Sequence, residues 1–338
     1  MRTRTRRISL VVLLAIALFA LIFPLTRLAS SLDPSYQGKT LSQWIVPFCR
    51  QTTNGLDVPA GPDHFEELQP VRRAVSNLGT NALPFLIASL NHRESALHRT
   101  VRQFLDNQHW VPFRLADPHV RRIRAIRALA NLGPAAQPAI PSLMAQLNDP
   151  VLSQHAVYAL SGMGTDGMRA LIEQFNTLGG SSRHLVALTL TTPTAFYRGE
   201  NYVETNQIPA ELLIQGLLLV AQDSTPGFRP SAVDRLGMLG PAASNAVQTL
   251  LSFLHDQNPM TRHFTLRALG QIKARPDLVI PALTNLLSDH DLGVQMAAVS
   301  TLSVFGYNAQ PQPHMSDALQ RVPFMPRGTN WPVPGPRF

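Results

Sequence analysis

The phrase Ala128-Leu129-Ala130-Asn131-Leu132-Gly133-Pro134 returns as Arg235-Leu236-Gly237-Met238-Leu239-Gly240-Pro241, each time followed by a second apolar stretch with helical spacing. A chain built from a returning unit buries its apolar faces by stacking neighbour on neighbour rather than by closing one globular core. The apolar residue before the turn marks each unit and gives Leu78, Leu132, Met163, Leu239, Ile272 and Phe305. Three of the five intervals between these markers, Leu132 to Met163, Leu239 to Ile272 and Ile272 to Phe305, agree on a unit of slightly more than thirty residues. The other two are longer and carry insertions. The longest, from Met163 to Leu239, has room for one more unit, with its first helix within Arg183 to Thr194 and its partner over Ala210 to Gln222.

Each unit divides into two helices. The first has apolar residues three and four apart, as in Ile123, Ile126 and Ala130 or Phe264, Leu266 and Leu269. It is expected to stop at Gly133, Gly240 or Gly270, where glycine takes the left-handed conformation that ends a helix. The second is expected to open on Pro84, Pro141 or Pro281, because a first-turn proline lacks only an N–H that has no helical partner. Leu86 and Leu90, Leu143 and Leu147, and Leu283 and Leu287 then fill its buried face. Asp149, Asp256 and Asp289 follow eight residues beyond the proline or its aligned equivalent Gln248. A carboxylate there accepts backbone N–H bonds and starts the next helix.

Arg124-Ala125-Ile126-Arg127-Ala128-Leu129-Ala130-Asn131-Leu132-Gly133-Pro134, followed by Ile140-Pro141-Ser142-Leu143 and Leu147-Asn148-Asp149, resembles a HEAT repeat. So does Arg267-Ala268-Leu269-Gly270 with Ile280-Pro281-Ala282-Leu283 and Leu287-Ser288-Asp289. The resemblance implies an all-α fold, a right-handed α-solenoid of about six to seven helical hairpins. It covers residues 71–308, with insertions near 92–120 and 193–209. Residues 28–70 form a linker with a short capping helix, in which Thr40 is the N-cap and Leu41, Trp44 and Ile45 share a face. A Tyr36-x-Gly38-Lys39-x-Leu41-x-x-Trp44 stretch ahead of such repeats also resembles exported bacterial HEAT-repeat proteins. Residues 309–338 are a Pro-rich tail, with seven prolines from Pro311 to Pro336.

The N-terminus gives an address. Arg2, Arg4, Arg6 and Arg7 precede a charge-free run from Ile8 to Leu25. That length spans about 27 Å, enough for a bilayer core. The arginines hold the N-terminus in the cytoplasm and send the rest across the membrane. Two readings stay open: a retained anchor over residues 1–27, giving a single-pass membrane protein with a periplasmic solenoid, or a signal peptide cleaved near Ala29-Ser30-Ser31, giving a secreted one. The formal net charge of +8 is concentrated there. Without those four arginines and Arg27, 24 basic residues face 21 acidic ones. A balance so close to even argues against a nucleic-acid partner. Cys49 is the single cysteine, so no intramolecular disulfide forms.

No motif for catalysis, a cofactor or a metal stands out. The eleven histidines are scattered, with no His-x-x-x-His and no His-Glu pair. Gly162-Met163-Gly164 belongs to a turn between helices rather than to a phosphate loop, since no strand precedes it. Two surfaces are candidates for a partner. Arg121, Arg122 and Arg124, with Arg127 near, form a basic stretch that suits an anionic lipid or envelope polymer, while Ile123 and Ile126 point inward. Phe104, Trp110 and Phe113 stand among arginines in the 92–120 insertion, a composition typical of protein interfaces. The expected function is a membrane-tethered, extracytoplasmic scaffold that binds protein partners and is not an enzyme. The alternatives are the lipid or polymer binder, or a lyase-like accessory enzyme with its site in the 92–120 insertion.

Overall fold

The computed structural model describes residues 33–52, 55–58, 65–92, 94, 96–106, 117–192, 208–223 and 227–307. The expected anchor, the cleavage site, most of the 193–209 insertion and the tail lie outside these residues. Two compact units are present, Met1–Leu219 and Val220–Phe338. Both are helical, and the helices pack in sequence order.

The first unit opens with a feature that helical periodicity does not announce. Strands β1 (Ser35–Tyr36) and β2 (Lys39–Thr40) form an antiparallel hairpin. Its two turn residues, Gln37 and Gly38, have φ of 49° and 75°, as a tight two-residue hairpin turn requires. Thr40 then caps the short helix α1 (Leu41–Trp44), and Gln43 Oε1 accepts the Thr40 N–H at 3.0 Å. Each named position of the Tyr-x-Gly-Lys-x-Leu-x-x-Trp stretch has a task here. Trp44 Nε1 donates to Tyr36 O at 2.9 Å, the Tyr36 and Trp44 ring centroids are 6.3 Å apart, and Lys39 Nζ lies 4.9 Å from the Trp44 ring centroid. Leu41 is fully buried. A second hairpin, β3 (Arg50–Thr52) with β4 (Gly55–Asp57), follows.

The stacked helices come next: α2 (Phe65–Leu78), α3 (Leu83–Asn91), α4 (Ala96–Asp106), α5 (Pro118–Leu132), α6 (Ile140–Met144), α7 (Ser153–Gly162), α8 (Thr165–Glu173), α9 (Gly180–Thr191) and α10 (Ala210–Gln222). Helix α5 packs on α2, α3 and α7, and α7 packs on α8 and α9. Ile123, Ile126 and Leu129 on α5 and Leu160 on α7 are buried, as are Leu143 and Leu147 beside them in the chain. Helices α9 and α10 fill the place expected for the additional unit. There Gly216 lets α10 approach α8 and α9, since a Cβ at that position would lie 2.8 Å from Ile172 Cδ1 and 3.1 Å from Leu190 Cδ1.

The second unit contains α11 (Phe228–Met238), α12 (Val247–Phe253), α13 (Pro259–Ile272), α14 (Pro276–Asn285) and α15 (Leu292–Val304). Helices α11, α13 and α15 pack side by side. The approach of α11 to α13 is close because Gly237 has no side chain; a Cβ there would meet Ala268 Cα at 2.6 Å.

The first stacked helix begins at Phe65, inside the expected 28–70 linker, and two boundaries in the second unit also differ from the sequence expectation. Helix α13 does not stop at Gly270 but runs to Ile272, with Gly270 buried against Thr301, and the left-handed residue is Lys273, at φ 53° and ψ 31°. Helix α14 does not open on Pro281. It starts at Pro276, so Pro281 lies inside it, whereas Pro84 and Pro141 do sit in first turns. The cause is the loop: Lys273 and Arg275 are both left-handed, and this brings the chain round early enough for Pro276 to take the first-turn position.

The aspartates accept backbone N–H bonds as expected, but they close the turn ahead of the next helix rather than start it: α13 is capped by Asn258, whose Oδ1 accepts the Met260 N–H, and α15 by Asp291, whose Oδ1 accepts the Val294 N–H. Asp149 Oδ1 accepts from the N–H groups of Val151 and Leu152 at 2.9 and 3.1 Å, Asp256 Oδ1 from Asn258 at 2.8 Å, and Asp289 Oδ1 from Asp291 at 2.9 Å. Each also faces an arginine at one fixed interval earlier in the chain: Arg122 for Asp149, Arg229 for Asp256 and Arg262 for Asp289. The same arginines reach back to the preceding loop, with Arg122 donating to His92 O at 2.9 Å and Arg262 to Asp256 O at 2.9 Å. One side chain per unit thus ties the end of its own second helix to the turn before it.

Candidate functional site

Helix α5 is the backbone of the candidate basic surface. Asp117 starts it by accepting the His119 N–H at 2.7 Å, with Pro118 at the first helical position. His119 Nδ1 lies 2.9 Å from Asp117 Oδ1, and Nε2 lies 3.5 Å from Asp149 Oδ2.

The arginines that follow are half-buried and have partners inside the fold. Arg121 Nε donates to Ser89 Oγ at 3.3 Å, and its guanidinium lies 6.0 Å from the Phe85 ring centroid. Arg122 Nη1 is 4.0 Å from Asp149 Oδ2. Arg124 Nε donates to Cys49 O at 2.8 Å, and Arg127 stacks over Phe48 at 5.6 Å. Burial lowers the basicity of Arg121, with Asp33 acting the other way, and burial does the same to Arg124 and Arg127. Arginine remains charged through such shifts, so the effect of this arrangement is mechanical. Arg124 and Arg127 hold the segment around Phe48 and Cys49 against α5.

His155 on α7 neighbours this group. Burial, and then the charge of Arg127, push its pKa down to about 4, which keeps it neutral near pH 7. Among the described residues no three His, Cys, Asp or Glu side chains come together as a metal site.

Helix α4, from the insertion, presents a different surface. Glu94 is nearly enclosed and takes a bidentate pair from Arg102, with Nε and Nη2 at 3.0 and 3.1 Å. Arg99 is 3.9 Å from the same carboxylate, with most of its side chain in solvent. Phe104 is 61% exposed, on the helix face it shares with the half-buried Val101 and Leu105. Among the described residues no element packs extensively on α4. Trp110 and Phe113 lie outside the described residues, so α4 represents the aromatic candidates by Phe104 alone.

Helical periodicity put Arg121, Arg124 and Arg127 on one side, with Arg122 in the same basic stretch, and the structure places all four along α5. Periodicity did not show what they touch. Arg124 and Cys49 are far apart in the chain, and no local pattern joins them. For Arg122 a signal was available in the recurring interval from arginine to aspartate.

The comparisons agree with the geometry. A family model described as HEAT repeats matches residues 214–303 and again 247–322. No curated protein matches the chain. Within the second match, Arg262 to Asp289 and the paired helices α13 and α14 supply one full unit. Residues 214–322 of this chain are HEAT repeats.

Proposed function

We propose that the chain is a membrane-tethered, extracytoplasmic scaffold that holds a protein partner on the surface of α4. HEAT repeats serve protein–protein interaction generally, and an array of stacked helices offers extended surface rather than an enclosed reactive site. The observation that carries the choice of α4 is Phe104, an exposed aromatic side chain close in sequence to the solvent-facing Arg99. Aromatic residues and arginine dominate the energy of protein interfaces. Tethering is supported by the charge-free run from Ile8 to Leu25 behind four arginines. Among the described residues no helix is long and apolar enough to cross a membrane. The reading is a binding role without catalysis. The alternative lipid or polymer site on α5 has less support, because Arg121, Arg122 and Arg124 already engage groups within the fold.

A photo-crosslinking residue at position 104, compared with one at the exposed Met238, tests the surface in cells. A protein captured at 104 and not at 238, with capture reduced about tenfold by Arg99→Glu, is the expected result. Equal capture at both positions refutes it. Extraction of membranes with alkaline carbonate tests the tether: the full chain stays in the pellet if the anchor is retained and appears in the supernatant if it is cleaved.

A further inference from the structure

The N-terminal hairpin is joined to the stack rigidly and from its first residue. Asp33 Oδ1 accepts the Ser42 N–H at 3.1 Å, and Pro34 O accepts the Leu41 N–H at 2.8 Å. Leu41, Ile45, Phe48 and Cys49 turn inward and are buried, while α1 and the turn Val46–Phe48 pack on α2. Arg124 reaches Cys49 O from α5 and holds the same segment. The hairpin and α1 therefore form a knob fixed to the first unit rather than a loose connection to it.

The outward side of this knob has the composition of a membrane interface. From Pro34 to Cys49 the one charged residue is Lys39. It is exposed next to the hairpin turn, with its ammonium over the Trp44 ring. Tyr36 and Trp44 are half-buried with their rings adjoining, and Val46 is 40% exposed. Tyrosine and tryptophan concentrate at the headgroup level of bilayers, where one part of the ring meets acyl chains and the other meets polar groups. A lysine beside them lays its stem along the apolar surface and carries its charge to the phosphates. Trp44 Nε1 already donates to Tyr36 O, so the indole N–H needs no water when its surroundings become drier.

The length of the connection decides where the knob can lie. Leu28-Ala29-Ser30-Ser31-Leu32 alone separates Arg27 from Asp33, and it carries no charge. Fully extended, those six steps reach about 21 Å at most. The polar layer beside a bilayer core is itself about 5–8 Å deep. With the apolar run Ile8–Leu25 in the bilayer, the knob is the first folded element outside it and stays close to the leaflet.

We propose that the β1–β2 hairpin and α1 rest on the membrane surface, with Tyr36 and Trp44 at the headgroup level and Lys39 on lipid phosphate. The inference rests on the retained anchor of the tethering reading. A single anchor leaves a domain free to swing, and a second contact, joined rigidly to α2 and α5, orients the first unit on the bilayer.

Trp44 can report its own position. In the full chain, reconstituted in vesicles of phosphatidylcholine and phosphatidylglycerol, Trp110→Phe and Trp331→Phe leave it as the single tryptophan. Lipids brominated near the headgroup end of their chains are expected to remove about half of its emission, and lipids brominated at the methyl end almost none. Lys39→Glu is expected to cut that quenching about threefold, and Lys39→Arg to retain it. Vesicle-bound protein whose Trp44 emission ignores both lipids overturns the seat and leaves the tether standing. Protein that fails to float with the vesicles overturns the tether, and the seat with it. Quenching unchanged by Lys39→Glu overturns the contact with lipid phosphate.

Discussion

Immediately after each marker residue the backbone turns left-handed: at Gly79, Gly133, Gly164, Gly240 and Gly306, and at Lys273, with φ between 53° and 77°. Only Lys273 carries a Cβ at positive φ there, and its ψ of 31° is the αL conformation, whereas Gly133 and Gly164 have ψ of −132° and −143°. A left-handed L-residue costs about 1–2 kcal/mol, partly offset by the greater freedom glycine has in the unfolded chain. Lys273→Gly is therefore expected to stabilise the second unit by about 0.5–1 kcal/mol, and Gly240→Ala to destabilise it by about 1–2 kcal/mol, both measurable by denaturant unfolding. His155 gives a pH-dependent counterpart in the first unit. Its pKa is about 4 when folded against an ordinary value of 6.5, so the unfolded chain binds the proton first as pH falls. Stability is full above pH 6.5 and declines as pH drops towards 4, by about 3 kcal/mol in all. His155→Gln should flatten that decline in thermal melts recorded across the window.

At the scale of elements, the arginine–aspartate interval holds the helical pairs in register. Burial raises the Asp256 and Asp289 carboxyls, but backbone N–H groups and the facing arginines more than reverse this and hold both below the usual carboxylate range. Depressed carboxylates stabilise the fold above the unfolded pKa of about 4, and the contribution disappears as pH falls through their folded values. Arg262→Ala leaves Asp289 without its charge partner and Asp256 O without its donor, and is expected to cost about 2 kcal/mol. If chemical denaturation of that variant shows no loss, the arginine is a surface charge and not a tie between elements. The helices were largely legible beforehand, because apolar residues three and four apart mark a buried face in any sequence. The hairpin β1–β2 was not. It has only two residues per strand, and the Tyr36, Lys39 and Trp44 side chains that fix it act across the turn rather than along a period.

For the whole molecule, the exposed Phe104 separates binding from stability. Phe104→Ala removes little buried surface, so the melting temperature should stay within about a degree while partner capture falls; a large loss of stability would mean that α4 is held down by the fold.

The repeated unit, its two helices and the aspartates of the inter-unit turns were determined by the sequence, because each depends on residues within one turn or one unit of one another, whereas the left-handed residue that ends α13 is Lys273 and not the expected Gly270. The use of the arginines was decided only by tertiary structure. Arg121, Arg124 and Arg127 have the periodicity of a solvent-facing row, yet Phe85, Phe48 and Cys49, from distant parts of the chain, pack over them. Periodicity reports which side of a helix is apolar, and a guanidinium on the other side meets water or a carbonyl according to what the rest of the chain brings there.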